Sequence, residues 1–160
     1  MDALVKSLTP LFFLFCAKLQ LETTPYWFKI NTINLCISSL LYHYSIEYNL
    51  HKSIKNIFYY YDRFSISLVC SYRIFNVQTY ALLYSLITII SEYNKYISYL
   101  LGFITVIPKL SIIQNISIFI SQIVSFYFFF SKNNEIWTIN QKIIWHFTQS
   151  YYIYISSLSW

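Results

Sequence analysis

The chain alternates between apolar blocks and short polar breaks. The apolar blocks cover residues 11–21, 26–46, 58–75, 77–91, 96–107, 110–130 and 137–158. Several of them approach the length of about 20 residues at which a helix crosses the hydrocarbon core of a bilayer. Because a backbone in lipid must satisfy its own hydrogen bonds, helices are the expected elements. The pattern predicts an all-α, polytopic transmembrane bundle of seven helices, or of five or six if the first or fifth block does not span.

Residue signals mark where several of these helices begin and end. Thr9-Pro10 and Thr24-Pro25 precede the first two blocks. A threonine hydroxyl can accept a free N–H of the first turn, and proline has no N–H to satisfy there. Asn76 predicts a tight connection between the third and fourth blocks.

Transmembrane β-strands are the rival architecture, since isoleucine and aromatic residues favour strands. A barrel strand requires alternation of apolar and polar residues over about ten positions. The blocks lack that alternation, and the FYFFF run at 126–130 contradicts it directly. Helices are therefore preferred, with turns predicted at the polar segments 47–56 and 131–135.

The first block is short and follows Lys6, which also fits a secretory signal peptide. No small-x-small cleavage motif follows it, so we expect a retained first helix. The sequence contains no convincing internal repeat and no composition shift that would separate domains. Residues 1–160 are expected to form a single integral membrane domain.

Composition supports a membrane location. Hydrophobic residues make up 57% of the chain and charged residues 11%, whereas soluble proteins carry about 25% charged residues. The 17 tyrosines suit helix ends near lipid headgroups, because the ring and the hydroxyl prefer different solvents. The net charge of +5 comes from scattered cations, so no nucleic-acid-binding patch is predicted. Cys16, Cys36 and Cys70 lie in apolar blocks without CxxC spacing and are expected to be buried thiols.

Polar side chains recur on one side of the predicted second helix. Cys36, Ser39 and His43 follow one another at i, i+3 and i+7, which places them on one stripe. A short hairpin connects this helix to the next, which begins shortly before Asp62. We therefore expect His43 and Asp62 to lie at similar depth near one membrane face.

A second polar stripe lies on the last predicted helix. Lys142, His146 and either Gln149 or Ser150 share one face of it. If all seven blocks span, the last helix starts from the membrane face at which the second helix ends. His146 should then lie at the depth of His43 and Asp62.

Ionisable groups inside a membrane are costly and are usually paired and directed inward. Neutral imidazole binds zinc, and a neighbouring carboxylate can orient a ligand or accept a proton from bound water. Ser39, His43, Asp62 and His146 could thus form a partial metal-hydrolase site. The alternative is that the two imidazoles are interfacial, the carboxylate pairs with a nearby cation, and the serine bonds its own helix.

These residues resemble a known family. The Ser-x-x-x-His pattern of Ser39 and His43, the acidic Asp62 early in the following helix, and Trp145-His146 in the last helix are similar to the alkaline ceramidase-like, seven-helix CREST group of membrane hydrolases. The resemblance implies a catalytic zinc that hydrolyses amide bonds of lipids, with a lipid as substrate.

The resemblance also implies roles for single residues. His43 and His146 would be zinc ligands, and Ser39 and Asp62 would hold and activate the attacking water.

The chain departs from the family pattern at Lys142, which stands where the family has a further histidine. A cationic ammonium group cannot ligate zinc unless its pKa is lowered enough to release the proton, so the three-histidine site is incomplete unless His51 of the following loop substitutes. The acidic, calcium-binding N-terminus of ceramidases has no evident counterpart at Asp2 or Glu22. We expect a divergent relative with altered or lapsed activity. A non-catalytic structural or assembly protein and a small transporter or channel are the alternatives.

Overall fold

The computed structural model describes residues 2–20, 22–90, 110–130, 138–158 and 160. These residues form the helices α1 (Asp2–Leu8), α2 (Leu11–Leu19), α3 (Tyr26–Glu47), α4 (Lys52–Phe75), α5 (Gln78–Ile90), α6 (Ile112–Phe130) and α7 (Ile139–Ser157). Within the described ranges there is no strand, which confirms the all-α fold. The predicted helix at 96–107 and the predicted turn at 131–135 lie outside the described residues.

The helix α3 matches its apolar block closely, whereas α4 begins well before its own. The chain turns between the two helices at residues 48–51, where Asn49 takes a left-handed conformation with φ of 49°. The His51 side chain then accepts a hydrogen bond from the Ser53 N–H at 3.4 Å, which caps α4. Because the first turns of α4 are polar, the apolar pattern missed them. Asp62 therefore lies about three turns into α4 rather than near its beginning.

The predicted threonine caps are wrong. Pro10 and Pro25 hold the N-cap positions of α2 and α3, and neither helix has a side-chain cap hydrogen bond among the described residues. The Thr9 hydroxyl donates to the Lys6 carbonyl oxygen at 3.0 Å instead. The Thr24 hydroxyl reaches a carbonyl oxygen of α7 at 3.5 Å. A local bond for Thr9 and a long-range bond for Thr24 therefore replace the capping bonds that the sequence predicts. The connection at Asn76 is confirmed, with φ of 53°.

Most helix contacts join neighbours in the chain, and the last helix also packs against the first two. α3 packs against α4, α4 against α5 and α6 against α7, while α1 and α2 lie against both α3 and α7. This arrangement brings the last helix next to the first half of the chain. It is the feature of the fold that assembles the site described below.

Small side chains form the interface between α4 and α5. Ala81 is fully buried, and its carbonyl oxygen accepts a hydrogen bond from the Ser71 hydroxyl at 3.2 Å. The hydroxyls of Ser71 and Ser85 lie 3.0 Å apart, and those of Ser67 and Thr88 lie 2.7 Å apart. Small residues let two helix backbones approach closely, and hydroxyl pairs then connect them.

The interior combines an apolar cluster with many polar side chains, and large apolar side chains are exposed on the outside. Buried residues include many serines, threonines and ionisable groups, and the buried thiols of all three cysteines confirm that prediction. Large apolar side chains are exposed along α6, among them Ile112, Ile113, Ile116, Phe119, Ile120 and Ile123. No helix in the described part of the chain combines the length and mean hydropathy expected of a membrane span.

Candidate functional site

The structure brings together Ser39 and His43 of the first predicted stripe with Lys142 and His146 of the second. The imidazole rings of His43 in α3 and His146 in α7 meet edge to face, with ring centroids 4.7 Å apart and planes 82° apart. Ser39 lies one turn before His43 on α3, and Asp62 approaches Ser39 from α4. Together with Glu47 and Lys142, these residues are called the polar centre below: Ser39, His43, Glu47, Asp62, Lys142 and His146.

His146 is held in one orientation at the middle of the polar centre. Its side chain is buried, and Nδ1 lies 2.9 Å from the Lys142 carbonyl oxygen and 3.0 Å from the Thr9 hydroxyl oxygen. The Thr9 hydroxyl already donates to Lys6, so both oxygens act as acceptors towards Nδ1. Nδ1 therefore carries the proton of a neutral imidazole, and Nε2 keeps its lone pair. That lone pair faces the Ser39 hydroxyl at 3.5 Å.

Ser39 and Asp62 complete one side of the polar centre. The Ser39 hydroxyl lies beside the Asp62 carboxyl group, and the positive charge of Arg63 is also close to that carboxyl. Asp62 is only 5% exposed, and its Oδ1 atom is buried with no hydrogen-bond partner among the described residues. An acceptor that is buried without a donor is costly. The fold thus holds the Asp62 carboxyl group in a buried position where one of its two oxygens lacks a donor among the described residues.

Lys142 enters the polar centre from the other side. Its Nζ atom lies 2.5 Å from Glu47 Oε1 and 3.2 Å from His43 Nδ1. An ammonium group only donates hydrogen bonds, so His43 Nδ1 must accept and the His43 ring is neutral with its proton on Nε2. The side chain of Lys142 is 4% exposed and that of Glu47 14%, which makes this a largely buried ion pair.

Sequence reasoning missed two members of this arrangement. The polar segment 47–56 predicts a turn at Glu47, although its position four residues after His43 places both on one face of α3. Thr9 was assigned to a helix cap, and nothing in its local sequence points to His146. The i, i+4 spacing could have found Glu47, whereas the Thr9 contact depends on helix packing alone.

The residues of the polar centre do not fit a zinc ion. In the part of the chain that the structure describes, no three His, Cys, Asp or Glu side chains are grouped closely enough to hold a metal. His51 does not supply the missing ligand, because it is exposed and caps α4. The ammonium group of Lys142 contacts Nδ1 of His43, one of the two ring nitrogens that could bind an ion. A cation already fills the position between the imidazole and the carboxylate.

The arrangement can still support proton transfer. The His146 Nε2 atom is a base positioned towards the Ser39 hydroxyl, and two oxygen acceptors orient the ring through Nδ1. A nucleophile, a base and a group that orients the base are the elements of general-base catalysis. In this chain the nucleophile Ser39, the base His146 and the orienting hydroxyl of Thr9 are all buried between the helices.

No protein-family model, curated protein or solved structure matches the chain. The site is therefore interpreted from its own geometry.

Replacing Thr9 by valine tests how His146 is oriented. Thr9→Val keeps the side-chain volume but removes the acceptor 3.0 Å from Nδ1, so we expect a loss of about 1 kcal/mol in the free energy of unfolding. The free energy is measured by denaturant titration in detergent micelles. Ser7→Ala is the matched control, since among the described residues that buried hydroxyl donates to Leu4 of its own helix. Equal losses in the two variants would contradict a specific contact between Thr9 and His146.

Proposed function

We propose that the protein is a multi-pass integral membrane protein. The observation that carries this proposal is that many large apolar side chains are exposed while hydroxyl, amide and charged groups are buried beside the apolar cluster. In water such a distribution would leave many large apolar side chains in contact with solvent, and extensive exposed apolar surface usually marks a site of protein or membrane contact. In a bilayer the same surface faces hydrocarbon, and the polar groups find partners within the bundle.

Helix length supports the same proposal. α3 has 22 residues and α4 has 24, which correspond to about 33 and 36 Å at 1.5 Å per residue. Those lengths match a hydrocarbon core of about 30 Å. The polar residues that lower the mean hydropathy of α3 include Asn31, Thr32, Ser38 and Ser39, and all of them are buried. They contact protein, so lipid would meet the apolar side of the helix.

The polar centre supports a narrower proposal, a relationship to the ceramidase-like membrane hydrolases. Ser39, His43, Asp62 and His146 approach one another from three helices, as that resemblance implies. Zinc would supply Lewis-acid activation of water in such a site. Because Lys142 replaces a ligand by a cation, we propose that this chain does not use zinc-dependent lipid amide hydrolysis. In this proposal the polar centre connects α3, α4 and α7 inside the bilayer.

The membrane proposal can be tested by spin labelling. In a background with the three buried cysteines replaced by alanine, a nitroxide is attached at Ile116→Cys, which lies on the exposed apolar side of α6. In liposomes we expect this label to collide with dissolved oxygen more often than with a water-soluble nickel chelate, because oxygen partitions into hydrocarbon.

Asn49→Cys is the matched control, since it is exposed in the turn between α3 and α4. Its label should collide preferentially with the nickel chelate. The proposal would be contradicted if the labels at both positions collided mainly with the nickel chelate and alkaline carbonate also released the protein from membranes.

A further inference from the structure

The beginning of α4 presents two cations at the outside of the protein. Lys52 is exposed, and Lys55 lies half-buried nearly one turn later. The Nζ atom of Lys55 donates to Asn49 Oδ1 at 3.0 Å, which holds this ammonium group beside the turn. Neither lysine forms an ion pair with a carboxylate among the described residues. The nearby carboxylate of Glu47 is directed inward to the Lys142 ammonium, so it does not neutralise this surface.

Helix length places these two cations at the edge of the hydrocarbon core. The 24 residues of α4 measure about 36 Å, which is about 6 Å more than a hydrocarbon core of about 30 Å. That excess corresponds to about four residues, and the first four residues of α4, 52–55, include both lysines. A lysine stem can lie along apolar surface while its ammonium group stays in water. In a membrane-spanning α4 both ammonium groups therefore lie at the level of the lipid phosphates.

Apolar and aromatic side chains adjoin the two lysines. Ile54, Ile57 and Tyr60 are all exposed, and their spacing of three residues places them along one side of α4. Tyr44 and Tyr48 near the end of α3 are also exposed, and their rings stack with centroids 4.4 Å apart. Tyrosine rings are typical of the headgroup level of a membrane. Cations followed by exposed aliphatic side chains match the phosphate and the acyl chain of a phospholipid.

We propose that residues 52–57 of α4 bind anionic phospholipids, with Lys52 and Lys55 contacting the lipid phosphate and Ile54 and Ile57 contacting the first part of the acyl chain. This inference rests on the membrane location of the proposed function and adds a lipid preference to it. Charge complementarity selects the occupant. Two ammonium groups without a carboxylate attract an anionic lipid, whereas a zwitterionic headgroup carries its own cation.

A fluorescent reporter next to the lysines measures this preference. In the full-length protein with its three cysteines replaced by alanine, bimane is attached at Asn56→Cys, an exposed position of α4. Phosphatidylcholine liposomes contain the protein and a small, equal fraction of phosphatidylglycerol or phosphatidylcholine with a nitroxide near the top of one acyl chain. We expect the phosphatidylglycerol analogue to show a quenching constant about three times larger at low salt. The two constants should become similar at about 1 M salt, where charge is screened beyond about 3 Å.

Matched variants assign the preference to the two lysines. In Lys52→Gln/Lys55→Gln the two quenching constants should become equal, whereas Lys52→Arg/Lys55→Arg keeps both charges and should keep the difference. Lys52→Gln alone leaves the bond between Lys55 and Asn49 intact and should lose part of the difference. Bimane at Ile120→Cys is the control site, because it is exposed on α6, a helix without charged residues. Both lipids should quench it equally.

Equal quenching by the two lipids at Asn56→Cys, in the protein that retains both lysines, would overturn the inference. A preference that persists in Lys52→Gln/Lys55→Gln would overturn it as well. Lysine-dependent binding of a polyglutamate peptide without a lipid preference would assign the surface to an acidic protein partner and reject the lipid. Failure of the membrane proposal gives a different result, because neither lipid would then quench the label at Ile120→Cys.

Discussion

Lys142→Met is expected to lower the free energy of unfolding by about 3 kcal/mol, the lower end of the range for breaking a buried ion pair by removing one partner. The substitution leaves Glu47 without its cation and His43 Nδ1 without a donor. The 14% exposure of Glu47 lets solvent compensate in part, so the lower end of the range applies. Denaturant titration in micelles, followed by circular dichroism, measures the change.

The double variant Lys142→Met/Glu47→Gln separates the charge effect from lost packing. It removes both charges, so it should be more stable than Lys142→Met alone. Lys55→Met is the matched control, because Lys55 contacts Asn49 on the exposed surface at 3.0 Å. That change should stay within about 0.5 kcal/mol. Similar losses for Lys142→Met and Lys55→Met would show that the buried ion pair does not stabilise the fold.

Ala81→Leu is expected to destabilise the protein by about 3 kcal/mol. Ala81 is fully buried where α5 meets α4, and a larger side chain must separate the helices or adopt a strained rotamer. Separation would also break the bonds that the Ser71 hydroxyl makes to Ala81 and Ser85. The free energy of unfolding in micelles is the measurement.

Thr79→Leu is the matched control for this variant. Thr79 is exposed on the same helix, so the added volume meets no neighbour and the change should stay within about 0.5 kcal/mol. If Ala81→Leu were as mild as Thr79→Leu, the close approach of α4 and α5 would be wrong.

Lys142→Met and Ala81→Leu both affect polar contacts between helices, and other buried polar side chains also join α3 to its neighbours. Asn31 and Gln78 exchange hydrogen bonds between α3 and α5, at 3.0 and 3.3 Å. Asn34 accepts from Tyr61 at 2.5 Å and donates to Ser65 at 2.8 Å, which connects α3 to α4. Burying polar groups is tolerable only when they are paired in this way.

The apolar blocks predicted most helix positions because periodicity and proline act locally. α3 and α7 lie close to the blocks at 26–46 and 137–158. The apolar pattern does not predict α1, because its seven residues include two charges and form no apolar block. It also placed the beginning of α4 too late, since polar first turns carry no hydrophobic signal.

The stripes on α3 and α7 show which structural relations residue spacing can predict. The sequence alone determined that Ser39 and His43 share one face and that Lys142 and His146 share another, because the helix repeat fixes those relations. Only the tertiary structure decided that Lys142 pairs with Glu47 and that Thr9 orients His146. Those contacts join residues far apart in the chain, and their distances depend on how α1, α3 and α7 pack, which no local pattern encodes.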